Sequence, residues 1–216
     1  MPVPDVTGVV LAGGRSTRFG DANKALATFE GAPILERVVS TVETATGRPP
    51  VVAVRTADQR ETYASCLPPA VEYATDAPTH EGPVAGVLGA LGAVETSWVF
   101  VCGCDMPTLS TAAIAWQLDW LAAAIAGPDP PAAVAVASAD DTPQPLHATF
   151  RVDAVDRVRD GLPTATGVRG LFDVLSPVAT VSVSDAPASV PLERSLSNVN
   201  TREDLAALAA EATADD

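Results

Sequence analysis

Short apolar runs alternate with longer amphipathic segments along most of this chain. The run VTGVVL at 6–11 is mainly apolar and predicts a strand buried on both faces, as in a parallel sheet. Residues 33–45 show a helical period behind a leading proline, which predicts an amphipathic helix. Further strands are predicted at 51–54, 71–74, 98–102, 132–137 and 178–183, and further helices at 57–66, 83–94, 152–161 and from about residue 201. The alternation predicts a doubly wound α/β fold.

The remaining stretches are predicted to be irregular. Prolines and polar residues favour a loop at 128–131 and a turn at 138–145, and the segment 146–150 is expected to pair with a neighbouring strand. A loop rich in Pro, Ser and Asp is predicted before the last helix. Hydrophobic residues occupy 47% of the 216 positions, which is enough for one sizeable core and favours a single domain.

Residues suited to a binding site follow several predicted strands. Leu11 ends the first strand, Asp76 follows the third, and Asp105 follows the run at 98–102. Ligands of open parallel sheets bind outside the carboxyl ends of the strands, so these residues are expected to share one rim. Gly86 and Gly89, in the predicted helix at 83–94, would let a ligand or another backbone approach closely.

The segment VVLAGGRSTRFGDANKAL carries the most distinctive chemistry of the chain. It holds Gly13 and Gly14, then Arg15 and Arg18, and ends with Lys24, which is the only lysine. Backbone N–H groups at the glycines are expected to face an oxyanion, and a lysine supplies a movable positive charge. The pattern predicts a phosphate site, and the alternative is a glycine-rich turn whose arginines lie in solvent.

Two common phosphate motifs do not match this segment. Gly-x-x-x-x-Gly-Lys-Ser/Thr fails because Lys24 lies four residues beyond Gly20 and precedes an alanine. The spacing of the glycines also differs from Gly-x-Gly-x-x-Gly, and the loop is longer than that motif allows. A loop of this length is able to wrap a triphosphate, whose oxygens the two arginines and the lysine would neutralise.

The charge of the chain restricts its partners. Its 27 acidic residues outnumber 13 Lys plus Arg, giving a net charge of −14 and a pI of about 4.3. Such a surface repels nucleic acid and anionic membranes, so neither is expected as a partner. Acid excess with lysine depletion indicates adaptation to high salt, which screens the self-repulsion.

The cysteines and the N-terminus indicate the compartment. Cys66, Cys102 and Cys104 lack the spacing of a zinc site or of a disulfide framework. No signal-type segment is present at the N-terminus, and no apolar run approaches the roughly twenty residues that span a bilayer. A cytoplasmic location is expected.

Several segments together resemble one family. LAGGRSTRFGDANKAL is similar to the signature loop of nucleotidyltransferases, specifically of the molybdenum cofactor guanylyltransferase family. EGPVAGVLGAL, VFVCGCDMPTLS and SNVNTREDL agree with that family in the same order, and PQPLHATF resembles the segment on the side of the site that binds the molybdenum cofactor. The similarity spans nearly the whole chain.

The resemblance implies a fold and a reaction. The fold would be a Rossmann-like three-layer α/β/α sandwich with a mostly parallel sheet. The reaction would be transfer of GMP from GTP to the terminal phosphate of molybdopterin, with Mg²⁺ bound and pyrophosphate released. Residues 1–110 would form the nucleotide-binding part and 111–205 the acceptor-binding part of one domain, and molybdoenzyme apoproteins would be possible recipients of the product.

The resemblance also implies roles for individual residues. Lys24, Arg18 and Asp105 would be catalytic, with Asp105 binding Mg²⁺, and Asn198 and Asn200 would face the acceptor or the metal. The implied nucleotide-binding set is Leu11, Ala12, Gly13, Gly14, Arg15, Lys24, Asp76, Gly86 and Asp105. Structural alternatives remain open for several of these.

Four residues have a plain structural alternative. Asp105 would be a helix cap, Asp76 the end of a strand, and the two asparagines turn residues. His147 is expected to be structural rather than a catalytic base, since the reaction needs none.

The chain departs from the family pattern at two places. Asn23 stands where an acidic residue commonly precedes the lysine, and the asparagine usual near Val54 and Arg55 is absent. The doublet Gly13-Gly14 favours guanylyl over cytidylyl transfer.

Other functions remain open at this point. The alternatives are a nucleotidyltransferase that uses CTP or another phosphorylated acceptor, a sugar-nucleotide enzyme, and a nonenzymatic nucleotide-binding protein that delivers the cofactor.

Overall fold

The structure is a computed structural model that describes residues 4–14, 19 and 23–214. Seven strands form the main sheet, in the order β5-β4-β1-β6-β8-β7-β9. Their bounds are β1 Val6–Leu11, β4 Val51–Val54, β5 Glu72–Thr75, β6 Trp98–Gly103, β7 Ala133–Ala137, β8 Pro143–Arg151 and β9 Val178–Ser182, and a separate hairpin consists of β2 Thr28–Phe29 and β3 Ala32–Pro33. β8 runs antiparallel to both of its neighbours, while the other pairs of the main sheet are parallel. The predicted mostly parallel sheet is confirmed.

The helices lie on both faces of this sheet. They are α1 Ile34–Thr46, α2 Ala57–Ala64, α3 Gly82–Leu91, α4 Thr111–Ile125, α5 Val152–Val158, α6 Val168–Val174, α7 Leu192–Ser195 and α8 Arg202–Ala214. One core joins the sheet to α1, α2, α4 and α8, and the other joins it to α3, α5 and α6. The sheet has a core on each face because successive side chains of a strand point to opposite faces. In β6, Phe100 belongs to the first core and Val101 to the second. The three-layer prediction is confirmed.

Element boundaries differ from the sequence predictions by small amounts. The strand predicted at 71–74 lies at 72–75, and the helices predicted at 57–66 and 83–94 are Ala57–Ala64 and Gly82–Leu91. The turn predicted at 138–145 is wrong at its end, because β8 already begins at Pro143. The expected pairing of 146–150 is confirmed on both sides, with β6 and with β7.

The sequence reasoning missed α4, α6, α7 and the hairpin. In α4, TAAIAWQLDWLAAAI, apolar residues occupy most positions, so the helical period is weak. The hairpin turns at Glu30 and Gly31, whose φ values of 46° and 85° both lie in the left-handed region that tight hairpin turns require.

In the described part of the chain, no helix has both the length and the apolar character needed to cross a membrane.

Candidate active site

A cleft of about 920 Å³ opens at the carboxyl ends of the parallel strands. Most of the residues predicted to bind a nucleotide line it: Leu11, Ala12, Gly13, Gly14, Lys24, Asp76, Gly86 and Asp105. Asn200 also lines the cleft, whereas Asn198 does not. Arg15 and Arg18 lie outside the described residues, so their predicted contacts stay predictions.

The first strand delivers its glycines directly into this cleft. The N–H of Ala12 is already used, since it donates to the carbonyl of Ala53 at 2.8 Å. The N–H groups of Gly13 and Gly14 donate to no other residue that the structure describes. These two donors are therefore available to an anion in the cleft, as the glycine pattern predicted.

Asp76 stands beside the same glycines. Its N–H donates to the carbonyl of Val54 at 3.1 Å, which places it just beyond β5. A Cβ at Gly13 would lie 3.1 and 3.3 Å from its carboxylate oxygens, so the glycine leaves room for this carboxylate, whereas a Cβ at Gly86 would be in ordinary contact with Oδ1 at 3.4 Å.

The carboxylate of Asp76 is half-buried at the cleft wall. Burial raises its pKa, and the positive charge of Arg55 opposes that effect. No residue in the described ranges donates a hydrogen bond to this carboxylate. It is therefore able to accept N–H or O–H groups from a ligand.

Lys24 and Asp105 form an ion pair in the cleft. Nζ of Lys24 lies 2.8 Å from Oδ2 of Asp105 and 3.5 Å from Oδ1 of Asn200. The Lys24 and Asp105 side chains are 15% and 19% exposed, so solvent and ligands still reach both. Glycine at 103 leaves the Asp105 carboxylate where it is, because a Cβ there would force Oδ1 of Asp105 to move.

The helix that follows Asp105 does not use it as a cap. Ser110 is the N-cap of α4, and its hydroxyl accepts the N–H of Ala113. The hydroxyl of Thr108 donates instead to the carbonyl of Arg194 at 2.8 Å. The capping alternative for Asp105 is therefore excluded, and its carboxylate is directed at the cleft.

A C-terminal segment completes the cleft beside this ion pair. The N–H of Val199 donates to the carbonyl of Asp105 at 2.8 Å, which holds the segment against the end of β6. The amide of Asn200 donates to Oδ1 of Asn198 at 3.3 Å, so the two asparagines adjoin. Asp204 accepts the backbone N–H groups of residues 200 and 201, each at 2.8 Å, and these bonds lower its pKa. These hydrogen bonds fix the backbone at Asn200 relative to the start of α8.

The predicted structural role of His147 fits its surroundings. The imidazole is fully buried on β8, with Nδ1 2.8 Å from Oε1 of Gln117 and Nε2 3.2 Å from Oγ of Ser195. Burial lowers its pKa to about 4, so the ring is neutral at neutral pH. It does not line the cleft.

The thiols near the cleft are unsuited to nucleophilic chemistry. Burial, with a smaller contribution from the charge of Asp105, raises the pKa of Cys104 to about 12. Burial likewise raises the pKa of Cys102 and of Cys66. Because the thiolate is the reactive form, a raised pKa makes these thiols poorer nucleophiles.

Sequence reasoning missed several residues of the cleft. Arg55 and Tyr63 line it, and Gln59 reaches the backbone of Gly14 from one turn earlier on α2. The only nearby sign was the absence of the family's usual asparagine around Val54 and Arg55. Leu146 also lines the cleft, from the β8 segment that the resemblance had placed on the side of the molybdenum cofactor.

Comparison with known proteins agrees with this geometry. Residues 8–182 match the model of the MobA-like NTP transferase domain family. A probable molybdenum cofactor guanylyltransferase of Haloferax mediterranei is 33% identical over 205 residues, covering 93% of this chain and 91% of the relative. A molybdenum cofactor guanylyltransferase of Burkholderia ambifaria is 32% identical over 213 residues, covering 96% and 97%.

A solved structure shares the fold. Molybdopterin-guanine dinucleotide biosynthesis protein A from Archaeoglobus fulgidus superposes with a TM-score of 0.76 at 23% identity, covering 96% of this chain and 99% of that one. Membership of one family accounts for the fold, the cleft at the strand ends and the matched segments. The chain belongs to the family of MobA-like NTP transferases.

Proposed function

We propose that this protein transfers GMP from GTP to molybdopterin and releases pyrophosphate. The observation that carries the proposal is the Lys24–Asp105 pair in a cleft that also presents the N–H groups of Gly13 and Gly14. Lys24 and the backbone N–H groups would bind phosphates, and Asp105 would bind a cation that accompanies them. The relatives named molybdenum cofactor guanylyltransferase support the choice of nucleotide and acceptor.

The reaction needs no protein nucleophile. An oxygen of the molybdopterin phosphate attacks the α-phosphorus of GTP, a new P–O bond forms, and the bond to the bridging oxygen of the β-phosphate breaks. Negative charge increases on the leaving pyrophosphate and on the nonbridging oxygens, where Lys24 is suited to neutralise it. The high pKa of Cys104 agrees with a direct transfer. Arg15 and Arg18 stay predicted contributors to the same neutralisation.

The donor set around Asp105 fits a hard divalent cation bound together with nucleotide phosphates. The described residues contain no cluster of three or more His, Cys, Asp or Glu that could hold a metal by itself. Mg²⁺ is usually held by one or two carboxylates plus substrate phosphates, and Asp105 with the amide oxygen of Asn200 provides such a partial set. Mg²⁺ held there would add positive charge at the phosphates that react.

Asp76 is proposed to hold the nucleoside. Its carboxylate has acceptor capacity at the cleft wall, and both the guanine N–H groups and the ribose hydroxyls are donors. Partial burial strengthens such a hydrogen bond, because water competes less well there. Leu11, Ala12 and Gly13 line the same cleft, and their backbone is proposed to lie against the nucleotide.

The division of labour along the chain belongs to the same proposal. Among the residues described as lining the cleft, only Leu146 and Asn200 lie beyond residue 110. This supports a nucleotide-binding part at 1–110 and an acceptor-binding part at 111–205, with Asn198 and Asn200 on the acceptor side. Molybdoenzyme apoproteins are the proposed recipients of the product.

A transfer assay tests the proposed function. GTP, CTP and ATP are offered separately with molybdopterin and Mg²⁺ in high KCl, and pyrophosphate and the dinucleotide are detected. We expect GTP-dependent product that is lost in Lys24→Ala and Asp105→Ala but kept in Asp153→Ala, which removes an exposed carboxylate of α5. Turnover with CTP alone would overturn GMP transfer, and absence of product with every nucleotide would overturn the reaction.

A further inference from the structure

Tyr63 joins two parts of the nucleotide segment that are distant in sequence. It lies on α2 and is 1% exposed. Its hydroxyl lies 3.3 Å from the carbonyl oxygen of Ala12, and the side-chain nitrogen of Asn23 donates to it at 3.2 Å. Ala12 precedes the run of glycines and arginines, and Asn23 directly precedes Lys24. One hydroxyl therefore contacts both flanks of the predicted phosphate segment.

The direction of these hydrogen bonds follows from the role of Asn23. Its Oδ1 accepts the N–H of Ala25 at 3.0 Å and so caps the short 3₁₀ turn Lys24–Leu26. Its Nδ2 then donates to the oxygen of Tyr63, and the phenolic proton goes to the nearer acceptor, the carbonyl of Ala12. An acidic residue at position 23 would have no proton to donate. The departure from the family pattern at Asn23 thus has a specific partner in Tyr63.

Holding the carbonyl of Ala12 orients a donor in the cleft. In a trans peptide the C=O and the next N–H point in opposite directions, so the N–H of Gly13 faces away from Tyr63. Gln59, one helical turn before Tyr63, donates to the carbonyl of Gly14 at 3.2 Å and accepts the N–H of Arg55 at 2.9 Å. Gln59 and Tyr63, on one face of α2, therefore donate hydrogen bonds to the carbonyls of the residues before and after Gly13.

We propose that Tyr63 is a positioning residue for the nucleotide phosphates. Through Ala12 it sets the direction of the Gly13 N–H, and through Asn23 it sets the start of the turn that carries Lys24. This inference rests on the proposed function for the identity of the nucleotide, but the contacts concern phosphate groups in general. Without the hydroxyl, the carbonyl of Ala12 and the amide of Asn23 lose their shared contact, so the Gly13 N–H and the turn at Lys24 have to be oriented at each binding event, which lowers affinity.

The test uses the two tyrosines of the chain as a matched pair. Tyr63→Phe keeps the buried ring and removes the hydroxyl that makes the contacts. Tyr73→Phe removes a buried hydroxyl that has no hydrogen-bond partner in the described part of the chain. We expect Tyr63→Phe to raise the Kd and the KM for GTP roughly three- to tenfold and to leave the KM for molybdopterin unchanged. Tyr73→Phe should leave all three values unchanged.

Two results would overturn the proposal. One is a Tyr63→Phe protein that binds GTP as the wild type does, whatever happens to its melting temperature. The other is an equal rise of both KM values, which indicates general damage to the cleft.

A second variant tests the coupling with Asn23. Asn23→Asp keeps an acceptor for the N–H of Ala25 but removes the donor to Tyr63. We expect weaker GTP binding, and a double variant with Tyr63→Phe that loses less than the product of the two single losses, because both act through one contact. Losses that multiply in full would show that the two residues act independently.

Inorganic tripolyphosphate and CTP separate this proposal from the proposed function. A wild-type protein that prefers CTP would refute GMP transfer, whereas the ratio of Tyr63→Phe to wild-type affinity is still expected to be three- to tenfold for CTP and for tripolyphosphate. A ratio near one for every phosphate probe would refute the role of Tyr63.

Discussion

Two polar clusters near the strand ends differ in burial and in charge. The cleft cluster consists of Lys24 and Asp105, which are in part exposed and carry opposite charges, and of the exposed, uncharged Asn200. The buried cluster consists of Gln117, His147 and Ser195, which are fully buried and uncharged at neutral pH. The buried cluster has used its hydrogen-bonding capacity within the protein, while the cleft cluster keeps charge where a ligand reaches it. Exposure of charge, rather than polarity, therefore distinguishes the candidate site from the core.

The hydrogen bonds of the buried cluster have one consistent direction. Nε2 of Gln117 donates to the carbonyl of Val134, so its Oε1 accepts and Nδ1 of His147 carries the proton. Nε2 of His147 then accepts the hydroxyl proton of Ser195, whose oxygen accepts the N–H of Ser110. Every member has a partner, which is the condition for a polar group to be tolerated in a core.

The buried cluster also holds the supports of the cleft cluster. Ser110 begins α4 shortly after Asp105, and Ser195 ends α7 shortly before Asn200. The contact between Ser195 and Ser110 thus fastens two segments that also meet through Thr108 with the carbonyl of Arg194 and through Val199 with Asp105. We infer that the buried cluster contributes mainly to the stability of the fold and the cleft cluster mainly to catalysis.

Breaking the cleft cluster should have the largest effect, and on turnover. Asp105→Asn keeps the shape of the side chain and removes its charge, so transfer should fall about 10²- to 10³-fold. Because the ion pair is partly exposed, the urea midpoint should change little in comparison. Steady-state transfer and urea unfolding of the same preparation check both statements. A variant with near wild-type turnover would remove Asp105 from the reaction.

Acid should break the buried cluster instead. The folded-state pKa of His147 is about 4 against an ordinary 6.5, so between these pH values the unfolded chain binds the extra proton. Its contribution is therefore complete above about pH 6.5 and is lost as the pH falls towards 4, by up to about 3 kcal/mol. Burial raises the pKa of Asp76 and acts in the opposite direction, so the wild type is compared with His147→Gln, which does not titrate. Equal pH dependence in both proteins would refute the assignment.

A milder change to the buried cluster should lower stability with little effect on chemistry. Ser195→Ala leaves the N–H of Ser110 and Nε2 of His147 without their shared partner. We expect a loss of about 1–3 kcal/mol in the free energy of unfolding, measured in urea at neutral pH. At temperatures where the variant is fully folded, its kcat should remain within about threefold of wild type, since an indirect effect below about 1 kcal/mol is expected. A kcat loss as large as that of Asp105→Asn would show that the buried cluster affects catalysis as strongly as the cleft cluster does.

Salt should produce the smallest effect, and the buried cluster, which carries no charge, should not contribute to it. With a net charge of −14, screening of self-repulsion should raise the melting temperature by a few degrees between low and molar KCl. The same increase is expected in Ser195→Ala, because that cluster is uncharged and buried. Thermal unfolding at several KCl concentrations measures it, and a melting temperature that falls with KCl would contradict adaptation to salt.

The sequence predicted those parts of the fold and the site that depend on local pattern. β1 and β6 were predicted because their runs are mainly apolar, as is typical of strands that are buried on both faces. Asp76 and Asp105 were predicted because strand ends in a parallel sheet share one edge. Asn200 was found only through the resemblance, since nothing local brings residue 200 to Lys24.

The parts that were missed depend on contacts between distant residues. Tyr63 meets Ala12 and Asn23 across 51 and 40 positions, and no periodicity reports such a contact. The start of β8 was taken for a turn because of its prolines. Pro143 pairs only with β7, since pairing of β8 with β6 begins at His147, and a one-sided start of a strand tolerates proline.

The reversed direction of β8 has a consequence for how relatives of this protein are able to diverge. Because β8 runs against its neighbours, the hairpin loop between Ala137 and Pro143 stands at the same edge of the sheet as the cleft. Its length and composition are free to vary without changing the register of any other strand. Insertions in this loop would thus change the edge of the sheet beside the cleft, while the strands that lead to the glycines, Asp76 and Asp105 stay as they are. A single antiparallel strand makes one side of the cleft adaptable and leaves the other fixed.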